Sequence, residues 1–392
     1  MKTLTLRRGK EGSLLRRHPW IFSGAIADAP QDLAEGELVR VLQADGEFVC
    51  IGHFAIGSIV VRVLSWEDRP IDQDFWRLRL SESIACRQAL GLLRPDNTIC
   101  RLVHGEGDNL PGLIIDLYGT TAVVQAHSVG MHLVRRQIAQ ALLDVMPNRL
   151  TSIYYKSEGT LPFKANCSQT EGILYGNANN HIALENNLHF SIDWLKGQKT
   201  GFFIDQRDNR SLLESYSANR SVLNMFCYTG AFSVYALRGG AERVVSVDSS
   251  ARAIDLTNNN VELNFGACPR HTGVVCDAFE YLEQTPQEWD LIIIDPPAFA
   301  KHRDAVHNAL RGYTRLNALA ISKVRPGGIV FTFSCSQAID KEQFRLAVFT
   351  AAIRARREVR ILHQLHQSKD HPINIYHPEG EYLKGLVLYV GQ

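Results

Sequence analysis

Long apolar runs are missing from the 392 residues: no stretch approaches the ~18 consecutive apolar residues of a membrane span. The basic N-terminus is followed by no apolar segment, so no secretory signal peptide is expected. Paired cysteine motifs are missing too. Eight cysteines, at 50, 86, 100, 167, 227, 268, 276 and 335, are scattered without C-x-x-C spacing. Neither a zinc site nor a disulfide framework is expected, and the pattern suits a reducing cytoplasm. There is almost no net charge, +1, which excludes a uniformly basic coat for nucleic acid. No internal repeat or low-complexity segment is visible.

What is present is the composition of an ordinary folded protein. Hydrophobic residues make up 45% and charged residues 21%. The length suits two or three domains of ~100–200 residues. Charge is unevenly spread: within residues 1–20, Lys2, Arg7, Arg8, Lys10, Arg16 and Arg17 stand against Glu11 alone. Such a cluster can hold phosphates or be a solvated basic surface. Residues 1–72 read as short strands broken by Gly, Asp and Pro, the pattern of a small β-barrel. Residues 73–190 read as a helix and then a mixed α/β segment. Its GEGDNLPG (105–112) superficially resembles a phosphate loop, but lacks the Lys-Ser/Thr ending and is read as a turn. His18 and Trp20 could stack on bases, although such a tryptophan is more often core.

From 191 to 392 apolar strands alternate with helices: SVLNMF, RVVSVD, HTGVVCD, WDLIIID, GGIVFTFSC and a final KGLVLYV. Near-continuous β-rich runs between helices indicate an α/β fold with a parallel sheet covered on both faces. In such sheets ligands bind beyond the carboxyl ends of the strands. Here every strand end is polar. The first carries Asn224, Cys227, Tyr228 and Gly230; the second ends at Asp248, the third at Asp277, the fourth at Asp295-Pro296-Pro297, the fifth at Cys335. Asp248 suits two ribose hydroxyls, although Gly230 is all that remains of a G-x-G-x-x-G turn and helix capping is the alternative. Asp277 suits an adenine amino group, or an N-cap. The two prolines stiffen their loop and fix the Asp295 carboxylate at the crevice mouth. Cys335 lies between Ser334 and Ser336 where strand turns to loop. Packing alone would be served there by Ala or Val, so the role of the thiol turns on its neighbours at the other strand ends, a buried inert residue being the alternative. Cys227 reads as packing.

As a set these strand ends resemble the class I S-adenosylmethionine-dependent methyltransferases. Over nearly its full length the chain resembles the bacterial 23S rRNA cytosine-5 methyltransferases of the RlmI type. The shared stretches stand as SLLRRHPWIFSGAI (13–26), GEGDNLPGLIIDLYG (105–119), KTGFFIDQRDNR (199–210), VLNMFCYTGAFSVYAL (222–237), VVSVDSS (244–250), DPPAFAK (295–301), RGYTRLN (311–317), FSCS (333–336) and HPEGEYLKG (377–385). The resemblance implies a Rossmann-like, mostly parallel seven-stranded sheet (191–392). A PUA-like RNA-binding barrel (1–72) and a central mixed α/β domain (73–190) would precede it. It implies S-adenosylmethionine as cofactor and ribosomal RNA, free or partly assembled, as partner, in the cytoplasm and away from membranes. A homodimer stays open. The implied cofactor cradle is Phe203, Asp205, Gln206, Arg207, Asn224, Phe226, Tyr228, Gly230, Asp248, Ser249, Asp277, Asp295 and Pro296. Substrate contacts would come from Pro297, Phe299, Lys301, Glu379 and Lys384, and no metal is expected. Close relatives often carry a basic residue directly after DPP; here Ala298 stands there and Lys301 comes three later. Many other RNA cytosine-5 enzymes have a second cysteine after the prolines, and this chain has none.

Carbon 5 of cytosine is a poor nucleophile, and a thiolate bound at carbon 6 makes it enamine-like. Cys335 is expected to form that bond while Asp295 hydrogen-bonds the base at N3 or N4. Four rivals stand beside this reading. Methylation of uridine C5 would use the same thiol, and methylation of an exocyclic amine would need none. A dehydrogenase would share Asp248 but not DPP or the strand-five thiol. A non-catalytic rRNA-binding protein would bind RNA with strong salt dependence and transfer nothing.

Overall fold

The computed structural model describes residues 1–162, 167–177, 181–286, 289–300 and 303–392. The chain divides into two compact units. The first takes in residues 1–186, 192–204 and 369–380; the second takes in 187–191, 205–368 and 381–392.

The first unit is built on two sheets. The N-terminal one has six short strands in the order Trp20–Phe22, Ile59–Ser65, Phe48–Phe54, Leu38–Leu42, Lys2–Leu6, Ile26–Asp28. It curls about a core of Leu4, Leu6, Ile21, Val39, Val41, Val61 and Val63. Lys2 is spent on Asp32 and Glu37, whereas Arg7, Arg8, Lys10, Arg16 and Arg17 stay exposed. The second sheet has five strands between Ile99 and Gly176. The expected helix runs Gln73–Ala89, started by Asp72, which accepts from the amides of Asp74 and Phe75. Its Phe75, Trp76, Leu80 and Ile84 join the core of that sheet. The GEGD stretch is a 3₁₀ turn whose carboxylates are used internally. Glu106 accepts from Trp20 Nε1 at 2.9 Å, and Asp108 grips the buried Arg87 guanidinium with both oxygens.

The second unit is a seven-stranded sheet with helices on it. Its strands, numbered within this unit, are β1 (Ser221–Met225), β2 (Arg243–Asp248), β3 (His271–Val275), β4 (Trp289–Ile294), β5 (Val324–Ser334), β6 (Val359–Leu365) and β7 (Lys384–Val390). Their order is β3-β2-β1-β4-β5-β7-β6. The first five are parallel, and β7 runs antiparallel between β5 and β6. Ile292, Ile293 and Ile294 of β4 are all fully buried, as a strand covered on both faces requires. Chain order reverses between β1 and β4, so the crevice opens above those two ends. The helices are α1 (Arg207–Ser215), α2 (Ala231–Arg238), α3 (Ala251–Phe265), α4 (Ala278–Gln284), α5 (Val306–Lys323) and α6 (Lys341–Ala355). Ser250 caps α3, Asp277 caps α4, and Asp340 with Gln343 forms a capping box on α6.

Candidate active site

The loop leaving β1 is tightly wound. Phe226, Tyr228 and Gly230 all have positive φ, at 57°, 47° and 70°. Two non-glycine residues in the left-handed region within three positions are costly, and such cost is usually held where a site is built. The winding alternates the side chains. Phe226 and Tyr228 keep part of their surface exposed, while Cys227 is buried with Sγ 3.5 Å from Thr257 Oγ1. Burial pushes the Cys227 thiol up to about 12, so it is a packing group. A Cβ on Gly230 would lie 2.4 Å from Thr257 Cγ2, so only glycine lets this loop meet α3. Beneath the loop, buried Asn224 donates to Ser233 Oγ at 2.9 Å. Its Oδ1 is buried with no hydrogen-bond partner among the described residues.

Asp248 at the end of β2 accepts from the Tyr228 amide at 3.0 Å and the Ser250 amide at 2.9 Å. The capping of α3 falls to Ser250 instead. Asp277 does cap: its Oδ1 takes the amides of both Phe279 and Glu280, leaving the carboxylate exposed at the end of β3. Ser249 is exposed beside Asp248.

Across the switch point, Asp295 ends β4 and receives a hydrogen bond from Gln206 Nε2 at 3.0 Å. Gln206 is in turn oriented by Asn209 Nδ2, 2.6 Å from its Oε1. Asp205 accepts from Tyr382 Oη at 2.6 Å, and its other carboxylate oxygen is buried without a hydrogen bond among the described residues. Arg207 is buried at the start of α1. Burial first, and the Asp205 charge second, push Asp295 up to about 7.

Cys335 is half-buried just past the end of β5, its Sγ 4.0 Å from the carbonyl oxygen of Pro296. The flanking serines explain the Ser-Cys-Ser pattern. Ser334 Oγ donates to Tyr313 Oη at 3.0 Å, and Ser336 Oγ donates to the Ala300 carbonyl at 2.6 Å. The loop is pinned once more by Lys384. This buried ammonium donates to the carbonyls of Ser336 and Ile339 at 2.6 and 2.7 Å. Burial lowers Lys384 to about 8. Burial, then the charges of Asp295 and Asp205, push the Cys335 thiol up to about 12.

The structure thus gathers Cys335, Asp295, Pro296, Gln206, Asp205 and Lys384 around two neighbouring strand ends. Pro297 is exposed on the same loop, and Phe299 packs its ring on Tyr313 at a centroid distance of 4.7 Å. Phe203 and Glu379 belong to the first unit. Glu379 stands there against His18 and His377. Lys301 lies outside the described residues. The sequence reading passed over Tyr382, Asn209 and Tyr313. Tyr382 had a signal, because it stands in the EGEYLKG stretch beside the last strand. The other two act through neighbours and carried none.

Comparisons with known proteins place the chain among its relatives. Residues 4–66 match the family model of a PUA-like domain, and residues 166–373 match that of an S-adenosylmethionine-dependent methyltransferase. A protein of Aeromonas hydrophila named ribosomal RNA large subunit methyltransferase I is 38% identical over 98% of both chains. One of the same name from Tolumonas auensis is 39% identical over 98% of both chains. A solved structure from Streptococcus mutans, described as a SAM-dependent methyltransferase, superposes over 100% of both chains with a TM-score of 0.84 at 24% identity, a likeness of fold. A crevice with carboxylate- and thiol-bearing strand ends, on a chain related to these enzymes along its whole length, gives one answer: the chain belongs to the ribosomal RNA large subunit methyltransferase I family, and its cofactor is S-adenosylmethionine.

Proposed function

We propose that the chain methylates carbon 5 of a cytosine in 23S ribosomal RNA, with Cys335 as the nucleophile. The observation that carries the reading is the placement of a serine-pinned thiol beside the DPP loop, its Sγ 4.0 Å from the Pro296 carbonyl oxygen and within reach of the Asp295 charge. Support for the RNA class comes from the relatives' name, the PUA-like match and the exposed Arg7, Arg8, Lys10, Arg16 and Arg17. Those cations lie in residues 1–72, which we take as the RNA-binding part. Residues 73–190 we take as a central domain and 191–392 as the catalytic one. The RNA is taken to be free or partly assembled, so that the target base can leave its stack at a cost of a few kcal/mol.

The residues present suit the cofactor. Asp248 offers acceptors for two ribose hydroxyls, and Asp277 one for an adenine amine. Asn224 Oδ1, which has no hydrogen-bond partner among the described residues, and the wound loop of Phe226, Tyr228 and Gly230 complete one side. Asp205, Gln206, Arg207, Ser249 and Pro296 are proposed as the remaining contacts. When bound, S-adenosylmethionine supplies an electrophilic methyl group.

The raised Asp295 and Cys335 fit one logic. Two neighbouring anions are unfavourable in a half-buried site, so the thiolate forms best while Asp295 holds its proton. A protonated Asp295 can donate to N3 of cytosine and draw electrons from the ring. The thiol proton leaves to solvent, the sulfur bonds carbon 6, and carbon 5 gains the electron density to take the methyl. Water then takes the carbon 5 proton, and the released electron pair breaks the sulfur–carbon bond and returns the thiolate. Lys384 beneath the loop favours the thiolate by its charge.

The test uses undermodified 23S rRNA and methyl-labelled S-adenosylmethionine, with wild type beside Cys335→Ala. Label in 5-methylcytidine with wild type and none with the variant is expected. Label that survives the substitution, or that sits on an exocyclic amine, would make Cys335 a packing residue and refute the mechanism.

A further inference from the structure

We propose that His18, His377 and Glu379 form a binding site for one divalent transition-metal ion of the zinc class. The site lies wholly within the first unit. It joins residues far apart in the chain, which is why the cysteine count gave no hint of it. One ligand atom from each residue lies within 4.8 Å of the others. Glu379 Oε2 is 3.5 Å from His18 Nε2 and 3.8 Å from His377 Nε2. Around a tetrahedral ion with bonds of about 2.0–2.1 Å, ligand atoms stand roughly 3.3–3.4 Å apart. The two spacings to Glu379 are a few tenths wider, and the two imidazole nitrogens lie within 4.8 Å of each other. Glu379, whose side chain is half-exposed, is free to close them.

An imidazolium–carboxylate cluster is the simpler reading, and the distances speak against it. A charge-assisted N–H···O bond is ~2.7–2.9 Å long, and both contacts to Glu379 exceed the ~2.7–3.2 Å of an ordinary one. A second, independent observation concerns His377. It is 4% exposed, and neither ring nitrogen has a hydrogen-bond partner among the described residues. A buried imidazole left so is expensive. An ion at Nε2 would relieve that cost where Nε2 already faces Glu379.

The surroundings hold the rings as metal ligands are usually held. His18 Nδ1 is held by the Trp20 backbone, 3.2 Å from its amide nitrogen and 3.3 Å from its carbonyl oxygen. An ion would select the tautomer in which Nδ1–H donates to that carbonyl and the Nε2 lone pair points toward Glu379. The backbone turn of His377 is closed by its own amide on Asn374 O at 2.8 Å and by Gly380 N on His377 O at 3.1 Å. The Trp20 ring packs on His377 at 4.3 Å and is itself fixed by its bond to Glu106. Three protein ligands leave one position open on the exposed side of Glu379, for an oxygen donor from solvent.

The experiment uses the full chain, stripped with chelator and titrated with Co(II) while visible absorption is recorded. One ion per chain, with tetrahedral d–d bands and no sulfur charge-transfer band, is expected; zinc should displace it. Affinity should fall at least tenfold in His377→Ala and in Glu379→Gln, the second being a half-exposed change that keeps the fold by circular dichroism. No saturable binding by the wild type overturns the proposal. So does a thiolate band, which would assign the ion to cysteines, or a folded Glu379→Gln that binds as the wild type does.

Discussion

Replacing Asp295 with asparagine should make the protein more stable at neutral and alkaline pH while abolishing methyl transfer. In the unfolded chain this carboxyl titrates near its ordinary 3.8, and in the folded chain near about 7. Between those values the folded state holds a proton that the unfolded state has lost, so stability falls as pH rises. The cost is complete above about pH 7. At 1.36 kcal/mol per pKa unit the shift corresponds to about 4 kcal/mol, an upper limit because Asp295 keeps some exposure. Asparagine has the same shape, and its Oδ1 can still accept from Gln206 Nε2. The variant should therefore gain about 1–4 kcal/mol at pH 8 and nothing at pH 4. Urea midpoints by circular dichroism at pH 4, 6 and 8, for both proteins, measure this. A variant no more stable than wild type at pH 8, or one whose gain is the same at all three pH values, would refute the account of Asp295 as a buried carboxyl held neutral.

The same coupling governs Cys335. Its alkylation by iodoacetamide at pH 7.5, followed by peptide mass spectrometry, should be slower than that of exposed Cys86, and faster in Asp295→Asn than in wild type. Equal rates in the two proteins would show that the carboxylate does not reach the thiol. Gly230→Ala should lower affinity for S-adenosylhomocysteine at least tenfold by calorimetry. Its Cβ would meet Thr257, and φ of 70° is strained for alanine. Asp108→Ala should cost the first unit about 3–5 kcal/mol in thermal or urea unfolding, because it strands the fully buried Arg87 guanidinium.

The parallel part of the second unit was legible because its strands are apolar on both faces and end in polar residues. Strand β6 was not read. It is an edge strand whose residues are mostly exposed, and VRILHQL has no long apolar run. Lys384 was equally open to a surface reading, since nothing local says that a lysine before LVLYV is buried. It is buried because β7 enters the sheet between β5 and β6, a long-range pairing. Asp277 was left between cap and ligand, and the structure shows it capping α4 through one oxygen. The strand ends announced a crevice, but the fixing of its groups by Ser334, Ser336, Asn209 and Tyr382 depends on contacts across dozens of residues.

The antiparallel strand is more than an edge filler. Pairing between β4 and β5 ends at Ile294 with Thr332. By that register alone, β5 would end beside Asp295. Instead β5 runs on through Phe333 and Ser334, because β7 supplies partners for both, Gly385 and Lys384. Those two extra residues carry Cys335 to the level of the Pro296 carbonyl. Gly385 is the residue that permits it, since a Cβ there would lie 2.6 Å from the Phe333 ring. Lys384 then turns its ammonium into the loop beyond the thiol. The last strand therefore sets the height of the proposed nucleophile above the sheet and supplies the cation that opposes its carboxylate neighbours. This is a physical reason for the Lys-Gly pair to stand where it does.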